Sequence, residues 1–121
     1  MHGISERLFR LVYAKNNYLV EYSVSDNPVC AIYFSSSGIY YPTNDETFSE
    51  AFIQHDKYEW YKNRYPGVSK HIFVRDIAKS FYIYGINKQV SSMDALIELL
   101  QSLLDGYEIV TIGSSGGDMP Q

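Results

Sequence analysis

From residue 8 to residue 24 the apolar positions fall into two short blocks. Residues 8–13 and 18–24 are rich in Leu, Val and Tyr, and Lys15, Asn16 and Asn17 lie between them. Asn tolerates positive φ, so the pattern predicts a β-hairpin that turns at these polar residues. In the second block Glu21 and Ser23 share one face, as in a strand with a wetter side. Asp26, Asn27 and Pro28 then break the chain. Residues 29–34 form a continuous apolar run. Strands buried on both faces look like this and are typical of parallel sheets. Ser35, Ser36, Ser37 and Gly38 follow as a loop of small residues.

Further on, the apolar period changes. Thr43, Asn44, Asp45 and Glu46 offer capping chemistry, and residues 46–54 predict a short helix with Phe48, Ala51 and Phe52 facing inward. Residues 57–63 suit a second short helical piece, closed by a turn at Pro66 and Gly67. Residues 71–76 predict a strand. Residues 81–86 are apolar and aromatic, but Gly85 interrupts them and no element is assigned. The clearest helix spans residues 91–104. Ser91 stands as its N-cap with Asp94 completing a capping box, and Leu96, Ile97, Leu99, Leu100, Leu103 and Leu104 form its apolar stripe. Gly106 is expected at C′. Residues 107–112 are rich in β-branched side chains and predict a last strand.

Strands that alternate with helices indicate an α/β class. The expected architecture is an N-terminal hairpin followed by parallel strands with crossover helices, one partial domain over residues 1–121. Composition agrees: 45% of residues are hydrophobic and 20% charged, as in a globular chain rather than a disordered one. A net charge of −4 argues against a nucleic-acid partner, which needs clustered Lys and Arg. No apolar run reaches the roughly 18 residues of a membrane span. The N-terminal residues lack a secretory pattern, and the single cysteine, Cys30, cannot form an internal disulfide. A cytoplasmic location is therefore expected, with Cys30 as a small core residue.

The chemistry concentrates where the last strand ends. Gly113-Ser114-Ser115-Gly116-Gly117 has the G-x-S-x-G form. A nucleophile on a sharp strand-to-helix turn needs glycines where the backbone passes close to itself, and the amide after the serine can donate to an oxyanion. On this reading Ser115 is the nucleophile, Gly116 an oxyanion donor, and Gly113 and Gly117 the elbow glycines. The segment is not a P-loop, because the Gly-Lys-Ser/Thr ending is missing. No Cys, His and carboxylate set has metal-ligand spacing, and no metal or cofactor is expected.

The order of elements resembles the first half of the α/β-hydrolase fold. Residues 33–38 and 112–117 also resemble a bacterial branch of that superfamily, associated with capsular or surface polysaccharide and including sugar O-acetyltransferases and esterases. The resemblance implies Ser115 as nucleophile and the Ser36–Ser37 region as the second source of oxyanion donors. It implies an acyl ester or a carbohydrate as substrate. It also implies an acid and a histidine after the serine, whereas His2, His55 and His71 all precede it and are read as surface or loop residues. The chain is thus read as a fragment truncated after the elbow and without turnover by itself. The alternative is a non-catalytic binding or interaction module, or the remnant of an interrupted gene. In either case an uncovered strand edge is expected to favour self-association. Arg75 and Asp76 are read as a surface ion pair or loop-fixing group, and Tyr58, Trp60, Tyr61 and Tyr65 as a lid or packing cluster.

Overall fold

The computed structural model describes residues 3–113. Its first element is a helix, α1 (Glu6–Tyr13), and not the first arm of a hairpin. The Ser5 hydroxyl caps it by accepting from the Leu8 amide, and Glu6 pairs with Arg10 one turn later. Leu8, Phe9, Val12 and Tyr13 recur at helical spacing and pack on a common cluster. Read residue by residue they pass for a strand, but their period is 3.6. The expected turn survives in part, since Asn17 has a φ of 60° and redirects the chain into β1 (Tyr18–Tyr22).

The remaining strands are β2 (Val29–Phe34), β3 (Lys70–Val74) and β4 (Glu108–Gly113). They form a mixed four-stranded sheet in the order β1-β3-β2-β4. β1 runs antiparallel to β3, whereas β2 is parallel to both β3 and β4. The apolar run of β2 occupies the buried position its composition indicates, with Cys30 in the core. Side chains alternate across the pleat. Cys30, Ile32, Ile72 and Val74 meet Leu96 and Leu100 on one face, while Ala31, Tyr33 and Phe73 meet Val68, Tyr58 and Trp60 on the other.

The chain steps from β2 to β3 in one direction and from β3 past β2 to β4 in the other. The two connections cover opposite faces of the sheet. The first holds a turn of 3-10 helix (Ser37–Ile39), then α2 (Asp45–Ser49), which continues as a π-helical turn (Glu50–Gln54). Asn44 and Thr47 cap α2 reciprocally, and Phe48, Ala51 and Phe52 are buried as expected. Residues 57–63 form turns instead of a helix; Tyr58 and Trp60 pack on the sheet while Lys57, Tyr61 and Lys62 face water.

The second connection ends in α3 (Met93–Leu103). Its N-cap is Ser92, one residue later than expected, with the hydroxyl accepting from the Ala95 amide. Leu96 and Leu100 are buried, but Ile97 faces water, so the apolar stripe is narrower than the sequence pattern. The C-cap is Leu104, and Gly106 takes positive φ two residues on rather than at C′. Gly85 closes the preceding loop at φ 65°, where an added Cβ would lie 2.0 Å from the Val90 carbonyl oxygen. Only glycine fits there.

Candidate functional site: the carboxyl edge of the sheet

Parallel β2, β3 and β4 all deliver their carboxyl ends to one edge of the sheet. In open α/β sheets that edge is where ligands bind. β1 is antiparallel, so its amino end arrives there too: the Arg75 amide donates to the Asn17 carbonyl at 3.1 Å. Across the edge the register places Tyr18 opposite Val74, Phe34 opposite Val74, and Phe34 opposite Gly113.

The loop after β2 is held from several sides. The Ser35 amide donates to the Val74 carbonyl, and the Ser35 hydroxyl accepts from the Asp76 amide at 3.0 Å. The Ser36 amide donates to Glu59 Oε1 at 2.9 Å, and its hydroxyl lies 3.0 Å from both Glu59 carboxylate oxygens. That hydroxyl also accepts from the Gly38 amide, while the Ile39 amide donates back to the Ser36 carbonyl. Of the two residues expected to supply oxyanion donors, Ser36 has its amide committed to Glu59. Ser37, exposed at the start of the 3-10 turn, has no amide hydrogen bond to another described residue. Gly113 ends β4 beside this loop. Ser115, Gly116 and Gly117 lie outside the described residues.

Arg75 and Asp76 are not a surface pair. Arg75 is only 1% exposed, and its guanidinium donates to Asn17 Oδ1, the Lys57 carbonyl and Asp56 Oδ1 at 2.9–3.0 Å. It is sandwiched between the rings of Phe52 and Tyr58, at 4.9 and 4.4 Å. Burial pushes the Tyr58 hydroxyl up to about 12. Asp76 fixes a loop, as one sequence reading held. Its carboxylate accepts from the Ser80 and Tyr82 amides at 2.8 Å. Burial pushes its pKa up, against the pull of these backbone donors. Lys79, Phe81 and Tyr82 all have positive φ, and these hydrogen bonds stabilise that strained loop.

His71 is also not a surface residue. It is 1% exposed in the middle of β3, with Nδ1 2.8 Å from the Tyr33 hydroxyl and Nε2 2.5 Å from the Ser23 hydroxyl. The Tyr33 hydroxyl also accepts from the Tyr65 amide. Both ring nitrogens are thus engaged in hydrogen bonds to hydroxyl groups. Burial and the Arg64 charge push its pKa down, which favours the neutral ring.

Glu59, Asn17 and Arg75 thus organise the edge. Asn17 was signalled by its turn propensity. Glu59, between Tyr58 and Trp60, carries no motif that sets it apart from a surface carboxylate. Among the described residues no group of three or more His, Cys, Asp or Glu side chains gathers as a metal site, and no helix is long and apolar enough to cross a membrane. No known protein family, curated protein or solved structure matches the chain.

Proposed function

We propose that the chain carries the nucleophile half of a serine acyl-transfer site, acting on an acyl ester of a sugar or polysaccharide. Ser115 attacks the ester carbonyl. The Gly116 amide and an amide of the Ser36–Ser37 loop stabilise the oxyanion, and the acyl group passes to water or to a sugar hydroxyl. The observation that carries this reading is the register of β2 with β4. Phe34 lies opposite Gly113, so the strand that leads toward Ser115 ends beside the strand that leads into the serine loop. Small residues follow both strands, as oxyanion chemistry requires.

Ser37 is the better donor in the resting arrangement, because Glu59 already holds the Ser36 amide. Neither ring nitrogen of His71 is open to Ser115, and we assign no base among the described residues. Without a base a serine is a weak nucleophile. The 121-residue chain is therefore expected to show no hydrolysis of p-nitrophenyl acetate above the uncatalysed background. Rapid hydrolysis that survives Ser115→Ala overturns the proposal.

The alternative, a non-catalytic interaction module, is favoured by one feature. β4 pairs only with β2 among the described residues, and Ile109 on it is 53% exposed. An edge strand with one side open is a template for another strand.

A further inference from the structure

At the β1 end of the carboxyl edge lies an open groove of about 1030 Å³ lined by residues 15–19, residues 55–63 except Trp60, and Arg75. Its charge differs from that of the rest of the molecule. The chain has 10 Lys and Arg against 14 Asp and Glu, but the groove is lined by Lys15, Lys57, Lys62 and Arg75 against Asp56 and Glu59. An acidic chain has thus gathered a cationic surplus in this concavity, where low-dielectric walls strengthen the field.

These cations differ in what they can offer. Arg75 is fully engaged, and the Lys57 ammonium donates to the Ile39 carbonyl at 2.8 Å. They contribute field without direct contact. Lys15 is bound to the Phe52 carbonyl and lies 3.7 Å from Asp56, yet its side chain stays 40% exposed at the rim. Lys62 is exposed and has no ion-pair partner among the described residues. Asn16, Asn63, Tyr58 and Tyr61 line the same groove. Amides serve hydroxyl groups as both donor and acceptor, and phenol rings offer flat faces with a polar tip.

We propose that this groove binds a small acidic sugar, bearing a carboxylate or a phosphate and of about disaccharide size. Lys62 and Lys15 hold the anion at the rim, and the asparagines and tyrosines receive the hydroxyl-bearing rings. The inference does not require Ser115 to be a nucleophile, because the groove is defined without it.

Trp60 is the only tryptophan, and its neighbours Glu59 and Tyr61 both line the groove. Its fluorescence, checked by calorimetry, gives the readout. The probes are digalacturonate, glucose 1-phosphate and neutral maltose. The expected result is saturable binding of digalacturonate or glucose 1-phosphate, weakened by salt, and none of maltose. Which anion binds distinguishes carboxylate from phosphate. Lys62→Glu is expected to weaken that binding about tenfold or more, the scale of one lost charge-assisted contact. Lys62→Gln is expected to weaken it less. Lys88→Glu changes the net charge equally but lies outside the groove, and is expected to leave affinity unchanged. No binding of either anion by both methods overturns the proposal. So does equal affinity in Lys62→Glu, or an equal loss in Lys88→Glu. These outcomes leave the ester and labelling tests of Ser115 untouched, so the two readings fail separately.

Discussion

At the scale of single residues, the buried His71 is the most exposed to pH. Its folded pKa lies below the unfolded value of about 6.5 because burial disfavours the imidazolium. The unfolded chain therefore binds more protons between those two values. The stability that comes from keeping His71 neutral is complete above about pH 6.5 and declines as pH falls toward the folded pKa. Asp76 has the opposite sign, since its raised pKa makes the ionised carboxylate the costly form as pH rises through that value. A comparison with His71→Gln isolates the histidine contribution. Thermal midpoints from pH 7.5 to pH 5 are expected to fall more steeply in the natural chain than in His71→Gln. Equal slopes would show that His71 does not supply the coupling. Position alone made this residue hard to read. A histidine inside an apolar strand resembles an exposed one until Tyr33 and Ser23, far away in sequence, are seen on its two nitrogens.

At the scale of elements, legibility followed the period of the apolar pattern. β2, β3, β4 and α3 were readable because their runs were long or strongly patterned. α1 was misread because Leu, Val and Tyr suit strands, although their spacing and the Ser5 cap suit a helix. Residues 57–63 have helical composition but form turns, because Arg75 holds the Lys57 carbonyl and Tyr58 and Trp60 turn toward the sheet. Tertiary contacts decided that segment, and local propensity did not. The docking of α3 shows the same principle. The Lys70 ammonium, at the start of β3, donates to the Leu103 carbonyl in the last turn of α3 and lies 4.9 Å from the Tyr107 ring centre. A cation there satisfies an orphan carbonyl and complements the helix dipole. Lys70→Met is expected to cost roughly 1–3 kcal/mol, the scale of a buried charge-assisted hydrogen bond. Urea unfolding should show a lower midpoint with an unchanged slope. An unchanged midpoint would mean that Lys70 does not anchor the helix.

At the scale of the whole molecule, the topology brings together groups that lie far apart in sequence. Asn17, Ser35, Ser36, Arg75, Asp76 and Gly113 come from four strand ends and share one edge. The sequence marked the serine loop and the elbow glycine because small residues after a strand are visible locally. It did not mark the neighbouring groove, whose lysines and asparagines look like ordinary surface until the sheet gathers them.

The central proposal is that Ser115 is a nucleophile, and its relative reactivity tests that most directly. The chain is treated with a fluorophosphonate, and every modified serine is mapped by peptide mass. Oxyanion donors retain part of their effect even where catalytic base is lacking. The account therefore predicts slow labelling concentrated at Ser115 and absent from Ser115→Ala. Labelling spread evenly over the serines, centred on Ser23 beside His71, or unchanged in Ser115→Ala would contradict it.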